Sequence, residues 1–237
     1  MGYRKIANER LESSYANMET KLAKVPGERH PERSTETIRA GSGRLGDTMT
    51  AVLTPQEWAA QETEREAKAW LRDIPQALLE SFDVTRHPSP DSHAQVMQWK
   101  SAAPGLMLSG VTGRGKSRSM AQLIRRLAYE GVRTAYWSVP RLADRISGLA
   151  LESVSEMDRL IRSLEHCGIL ALDDLGAHRP TERVAAGLHR IIDTRYAEGQ
   201  PLIVTTNCTP AQLQERLLDE HGRTIRRLRE MTRPIAF

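Results

Sequence analysis

Beyond about residue 72, two kinds of hydrophobic pattern follow each other in turn along the chain. Short apolar runs predict buried strands, whereas apolar residues spaced by three and four predict helices that cover them. The predicted strands are 105–109, 133–138, 167–174, 201–207 and 235–237. Helices are predicted from 116 to about 130, over 140–166 with a break near 151–155, over 181–198, and from 209 and 222. This alternation is typical of a parallel sheet covered by helices.

Residues 1–71 lack the alternation, and we predict a separate, mostly helical region there. Residues 1–25 place Ile6, Leu11 and Leu22 along one side of a helix, which would either pack on its own domain or dock on a partner. Residues 26–50 have the composition of a flexible linker. A capping box at Thr54–Glu57 then predicts a helix that runs to about Arg72. The predicted domains are therefore 1–71 and 72–237.

A glycine-rich stretch between the first predicted strand and helix matches the phosphate-binding pattern G-x-x-x-x-G-K-S/T. Glycines allow successive backbone N–H groups to point at an anion, and the helix that follows adds the positive end of its dipole. We expect the lysine to reach the β- and γ-phosphates of a nucleoside triphosphate and the serine hydroxyl to bind Mg²⁺. The predicted binding residues are Gly110, Val111, Thr112, Gly113, Arg114, Gly115, Lys116 and Ser117.

Two carboxylates end the third predicted strand, directly after the apolar run 169–172. In a phosphate-loop fold, a strand that ends this way brings an aspartate to the bound metal ion. We expect Asp173 to hold Mg²⁺ through water and Asp174 to polarise the water that attacks the γ-phosphate. Adjacent carboxylates at the end of a buried strand repel each other without a cation nearby, which favours this interpretation over a simple acidic turn.

Polar residues after the fourth strand are further candidates. The carboxyl ends of parallel strands face the ligand crevice, so Asn207 either orients the attacking water or only turns the chain. Residues 221–237 carry five arginines and one glutamate, a difference equal to the whole net charge of +4. This cluster is an arginine finger inserted into a neighbouring subunit, a nucleic-acid contact, or a solvated helix face.

Composition excludes several classes of protein. The chain has 237 residues, 39% of them hydrophobic, and a mean hydropathy of −0.50. Two cysteines, Cys167 and Cys208, cannot build a disulfide framework. No apolar run approaches the ~20 residues of a membrane span, and the N-terminus lacks the apolar core of a signal peptide. We therefore expect a cytoplasmic protein without a membrane partner. Because no N-K-x-D element is present, ATP is the expected nucleotide.

Together these motifs resemble the DnaC/IstB-like branch of AAA+ ATPases over about residues 72–237. The resemblance is carried by the phosphate-binding loop, the Leu-Asp-Asp-Leu-Gly-Ala run at 172–177, the segment 191–207 and the Arg-Thr-Ile-Arg-Arg-Leu run at 223–228. Residues 74–82 also resemble the segment that leads into the adenine pocket of the family. The run at 172–177 discriminates best, since most AAA+ proteins end this strand with Asp-Glu.

The resemblance implies an α/β AAA+ core with a five-stranded parallel sheet between helices, no C-terminal lid domain, and homo-oligomers (a ring or spiral) with ATP at the interfaces. It implies that Asp173 and Asp174 are the Walker B pair and Asn207 is sensor 1, with Arg223 as the first candidate for the arginine finger and Arg227 as the second. It also implies that the helical insert 140–166 faces DNA, where Arg141, Arg145, Arg159 and Arg162 are candidate contacts.

The predicted function is an ATP-dependent replicative helicase loader. In this hypothesis the N-terminal region binds the helicase, the core binds single-stranded DNA, and Mg²⁺-dependent ATP hydrolysis is the release switch. One alternative is a transposition helper ATPase that binds target DNA and recruits a transposase. Another is a nucleotide-binding adaptor with negligible turnover. Residues 1–70 match no family element, and the cysteine-based metal site of some loaders is absent from the sequence.

Overall fold

Five parallel strands form a single sheet in the computed structural model, which describes residues 55–237. The strands are β1 (Gly105–Ser109), β2 (Thr134–Ser138), β3 (Ile169–Asp173), β4 (Leu202–Thr206) and β5 (Thr232–Ala236). They lie in the order β2-β3-β4-β1-β5. The predicted parallel α/β sheet is confirmed, and β5 begins at Thr232 rather than at the predicted position 235.

The helices correspond to the predicted pattern within a few residues, except for two short helices at 76–79 and 90–97, which the pattern did not predict. They are α1 (Pro55–Trp70), α2 (Gln76–Leu79), α3 (Pro90–Met97), α4 (Lys116–Tyr129), α5 (Val139–Glu152), α6 (Val154–Glu165), α7 (Glu182–Glu198), α8 (Pro210–Arg216) and α9 (Arg223–Met231). The predicted break in the helical insert is Ser153, which ends α5 and caps α6 by accepting from Glu156 N. Over the described residues, none of these helices has the length and apolarity needed to cross a bilayer.

Two apolar cores lie on opposite faces of the sheet because strand side chains alternate. Leu106, Leu108 and Ala171 face α1, α3 and α4, whereas Leu170 and Leu172 face the helices of the insert, α7 and α9. The same alternation places Asp173 on the face of Ala171, towards α4. Strand alternation therefore turns the Asp173 side chain towards the helix that follows the phosphate-binding loop.

Helix α1 lies before the predicted domain boundary near Arg72 and packs on the core of the sheet. Ala67 and Leu71 are buried in the core with α4, and the compact unit extends over Leu53–Phe237. The charged exterior of α1 hides this small apolar stripe in the sequence pattern. The predicted N-terminal helix, the linker and a partner-binding role for them fall in a part of the chain outside the described residues.

The junction between α9 and β5 has no connecting residue, since α9 ends at Met231 and β5 starts at Thr232. At the other end of β5, the N–H group of Phe237 donates to Ser109 O over 2.8 Å. A side chain at Gly110 would place its Cβ 2.2 Å from Phe237 O, so this glycine is required by close backbone approach. The last strand is thus tied to the start of the phosphate-binding loop.

Candidate functional site

The phosphate-binding loop lies at the carboxyl edge of the sheet, between β1 and α4. Gly113 and Gly115 have φ values of 81° and 87°, which a residue with a Cβ rarely adopts. The helix begins at Lys116, directly after Gly115. Backbone N–H groups at the start of α4 and the positive end of its dipole therefore face the loop. The predicted strand–loop–helix context of the motif is confirmed.

Lys116 is buried without a direct ion pair in the described structure. Its Nζ donates to Gly110 O and Val111 O, each over 2.8 Å, and only 4% of the residue is exposed. Burial lowers the pKa of Lys116, while the nearby charges of Asp174 and Asp173 oppose that effect. A buried ammonium that interacts mainly with carbonyl dipoles is stabilised by an arriving anion.

Asp173 is held by three hydroxyl groups from three different elements. Ser117 Oγ of α4 and Thr205 Oγ1 of β4 donate to its Oδ1 over 2.8 and 2.6 Å. Tyr136 OH of β2 donates to its Oδ2 over 3.0 Å. Burial and the charge of Asp173 raise the pKa of Tyr136, so the phenol stays protonated and remains a donor. The strand order brings all four residues together on the α4 face.

The donor set fits Mg²⁺, which prefers hard oxygen ligands and retains much of its water. The Ser117 hydroxyl donates its hydrogen bond to Asp173, so its oxygen lone pairs remain available for a cation. Asp173 accepts from three hydroxyls, which suits a carboxylate that orients metal-bound water. We therefore expect Ser117 to hold the cation directly and Asp173 to hold it through water, as the sequence predicts.

Asp174 has a left-handed backbone, with φ of 58°, because the chain turns sharply after β3. Its N–H group donates to Thr205 Oγ1 over 2.8 Å, and Asn207 Nδ2 donates to its Oδ1 over 3.4 Å. Burial and the adjacent Asp173 raise the pKa of Asp174. A carboxylate made more basic in this way is suited to polarising water. The structure thus brings Asp174 and Asn207 together.

A cavity of about 380 Å³ lies beside the loop. Its lining includes Phe82 and His87 together with Gly113 and Gly115 of the loop. The guanidinium of Arg118 also lines this cavity and lies 5.3 Å from the centroid of the Phe82 ring. The segment predicted to lead into an adenine pocket, residues 74–82, therefore ends at a cavity next to the phosphate-binding loop.

Sequence reasoning missed Tyr136 and Thr205, which hold Asp173. Their elements are distant in the chain, and only the strand order makes them neighbours. A signal was present for Thr205, because two polar residues end an otherwise apolar strand at 205–206. Parity with Ile203 places Thr205 on the α4 face, where a hydroxyl requires a polar partner.

The two candidate finger residues occupy different environments. Arg223 is the first residue of α9 and is exposed. Arg227 is ion-paired with Asp193 of α7, and its guanidinium lies 5.6 Å from the ring centroid of Tyr196. Because Arg227 is bound within its own chain, Arg223 remains the stronger candidate for contact with a neighbouring subunit.

Asp219 fixes the start of the finger helix, and sequence reasoning missed it. Its carboxylate accepts from Arg223 N at 3.0 Å, Thr224 N at 2.9 Å and Ile225 N at 3.0 Å. These are the orphan N–H groups of a helix terminus, and a negative charge there also favours the helix dipole. The acidic residue four positions before the helix was the available signal.

We expect Asp219→Ala to lower the free energy of unfolding by about 1–2 kcal/mol, the usual cost of losing a helix cap. The matched variant Asp219→Asn keeps an acceptor oxygen and should lose less. Urea denaturation followed by circular dichroism measures both values. Equal stability of Asp219→Ala and the unmodified protein would contradict the capping role.

The four arginines predicted to face DNA are all exposed on α5 and α6: Arg141, Arg145, Arg159 and Arg162. One of them, Arg162, pairs with Asp158 over 2.8 Å. Leu151 and Val154, at the junction of the two helices, are 85% and 66% exposed. The insert therefore presents both positive charge and apolar side chains to its surroundings.

The sheet order, the loop and the acidic pair define the AAA+ P-loop α/β fold. The solved structure of the DnaC helicase loader has a TM-score of 0.52 at 22% identity, with 67% of this chain and 93% of that chain covered. A Streptococcus pyogenes protein described as a primosome component has a TM-score of 0.55 at 22% identity, with 72% and 95% covered.

Sequence comparison adds a relative from Mycobacterium tuberculosis, named as an ATP-binding protein in an insertion sequence. It is 30% identical over 140 residues, which span 57% of this chain and 55% of that protein's length. No protein-family model matches the chain. The chain thus resembles the DnaC helicase loader in fold, and part of it resembles this ATP-binding protein in sequence.

Proposed function

We propose that the protein is a Mg²⁺-dependent ATPase that binds ATP between the phosphate-binding loop and a neighbouring subunit. The observation that carries the proposal is the convergence on Asp173 of hydroxyls from β2, β4 and α4, beside the buried Lys116. The adenine base would occupy the cavity next to Phe82, and the loop backbone would hold the phosphates. The bound cation would neutralise charge that develops on the transferred phosphoryl group.

The protein groups have separate tasks in this proposal. Lys116 moves from its loop carbonyls to the β- and γ-phosphates. Asp174 accepts a hydrogen bond from the attacking water, and the Asn207 amide, which now donates to Asp174, helps to orient that water. Arg223 of the next subunit then stabilises negative charge at the γ-phosphate. Hydrolysis would therefore depend on assembly, which makes the nucleotide a switch.

For the biological role, we propose a helicase loader: an oligomer that binds a replicative helicase and single-stranded DNA and releases the helicase after hydrolysis. The fold shared with the DnaC helicase loader supports this role. The exposed arginines of α5 and α6 supply charge for the DNA backbone. Residues 1–71 would provide the helicase contact.

One observation favours a second candidate, a transposition helper that recruits a transposase to target DNA. The relative from an insertion sequence shares 30% identity with this chain over 140 residues. The two roles require different DNA. A loader binds single strands exposed at an origin, whereas a transposition helper binds intact duplex as target.

Asp174→Asn separates these possibilities because it should retain ATP and lose hydrolysis, which holds the protein in its assembled state. We expect this variant with ATP to bind a labelled single-stranded oligonucleotide at least about tenfold more tightly than its duplex, as a groove that stacks unpaired bases would. It should also retain the replicative helicase of its host in a pull-down. Preference for duplex and failure of the pull-down would favour the transposition helper instead.

The same variant tests turnover. A nucleotide-binding adaptor would be unaffected by Asp174→Asn, whereas an ATPase should lose about 100-fold or more of its phosphate release, since a positioned base contributes that much. Asp91→Asn, an exposed carboxylate in the first turn of α3, is the matched control and should retain full turnover.

A further inference from the structure

His87 lies directly against the backbone of the phosphate-binding loop. A Cβ added to Gly115 would be 2.3 Å from His87 Nε2 and 2.5 Å from its Cε1. His87 as a whole is 5% exposed and belongs to the segment between the 3₁₀ turn Val84–Arg86 and α3. The flat imidazole therefore fills the space beneath the residue that precedes α4.

The hydrogen bonds of His87 have a defined direction. Ser89 N donates to His87 Nδ1 over 3.0 Å, so Nδ1 is an acceptor and the proton of the neutral ring is on Nε2. His87 Nε2 lies 3.3 Å from Ser119 Oγ, to which it can donate. The Ser119 hydroxyl then donates a hydrogen bond to His93 Nδ1 over 3.0 Å. Burial, and secondarily His87, lower the pKa of His93, which agrees with a neutral acceptor.

This chain of hydrogen bonds connects α3 and the segment before it to the first turn of α4. Ser119 is fully buried, and its N–H group donates to Gly115 O over 2.9 Å. The rings of Phe82 and Phe237 pack against His87, with centroids 5.5 and 6.2 Å away. The imidazole is therefore held by aromatic contacts on its outside and supports the loop on its inside.

We propose that His87 is a positioning residue for the phosphate-binding loop. Through Ser119 and His93, it holds Gly115 and the first turn of α4 in the conformation that receives phosphate. This inference rests on the proposed function, because it concerns the nucleotide site. A loop that already has its bound conformation binds the ligand more tightly, because binding then costs no further loss of conformational entropy.

The test compares His87→Phe with His87→Gln. Phenylalanine keeps a flat ring but removes both polar atoms, whereas glutamine places an amide nitrogen near the former Nε2. We expect the KM for Mg-ATP of His87→Phe to rise about tenfold with kcat within about twofold, the size of one buried hydrogen bond. His87→Gln should recover to within about threefold of the unmodified protein.

A second comparison tests the route through Ser119. Ser119→Ala should also raise the KM, and the double variant with His87→Phe should be no worse than the weaker-binding single variant. Effects that multiply in the double variant would overturn the relay. His178→Phe replaces another buried histidine, 2% exposed, and should lower thermal stability without changing the KM.

The outcomes separate this inference from the proposed function. If the unmodified protein binds no fluorescent ATP analogue in the presence of Mg²⁺, the proposed function itself is wrong. If it binds the analogue and folded His87→Phe binds equally well, only the positioning role is wrong. A fall in kcat with an unchanged KM would indicate a loss of folded molecules and would also overturn the positioning role.

Discussion

Lys116→Ala should abolish measurable ATP binding, with affinity reduced by at least about 100-fold. The ammonium is buried against two loop carbonyls, and its burial is compensated fully only when phosphate oxygens arrive. Its removal takes away a charge-assisted contact to two phosphates and leaves the loop carbonyls without their donor. Isothermal titration calorimetry with Mg²⁺ and a non-hydrolysable ATP analogue measures the loss.

Lys100→Ala is the matched control, because Lys100 is exposed and lies before β1. It should bind the analogue with unchanged affinity. Circular dichroism of both variants separates lost binding from lost folding. A folded Lys116→Ala protein with unchanged affinity for the ATP analogue would contradict the assignment of the nucleotide site. It would also contradict every proposal that depends on nucleotide binding there.

Arg223→Ala should bind ATP normally but hydrolyse it about 10³-fold more slowly, the size of effect that an arginine finger supplies. The side chain is exposed at the start of α9, and the direction of this helix places it towards the carboxyl edge of the sheet. It can therefore reach a site on another molecule. Phosphate release and nucleotide affinity, measured on the same sample, separate the two effects.

Mixing two inactive proteins tests whether Arg223 acts between subunits. An Arg223→Ala subunit has an intact phosphate-binding loop, and a Lys116→Ala subunit has an intact finger, so mixed oligomers should regain turnover. Arg226→Ala, one turn along the same helix and also exposed, is the control and should behave like the unmodified protein. Failure of the mixture to regain activity would exclude Arg223 as the finger.

The sheet was predictable because each interior strand is an apolar run with a clear beginning and end. The exception is β5, where Arg233 and Pro234 interrupt the pattern. Proline is tolerated there because β5 is an edge strand and one of its sides has no partner in the sheet. The packing of α1 on the core was hidden for a similar reason: Ala67 and Leu71 make a narrow apolar stripe on an otherwise charged helix.

The site was predictable only where a local motif carries the chemistry. Lys116 and Ser117 follow from the glycine-rich loop, and Asp173 follows from the end of an apolar strand. The groups that position them come from elsewhere: Tyr136 reaches Asp173 across the sheet, and His87 supports Gly115 from a segment almost thirty residues earlier. No periodic pattern marks such contacts, because they depend on strand order and on the path of a loop.

The direct junction of α9 with β5 has a mechanical consequence. With no residue between them, the helix runs back along the strand, so that Arg223 and the Phe237 backbone against Gly110 both lie at the carboxyl edge of the sheet. A contact between Arg223 and a neighbour's nucleotide would therefore be made by the same helix–strand pair that abuts the subunit's own phosphate-binding loop. Nucleotide binding at one site of an oligomer would then be coupled to binding at the next, and by linkage the coupling would act in both directions.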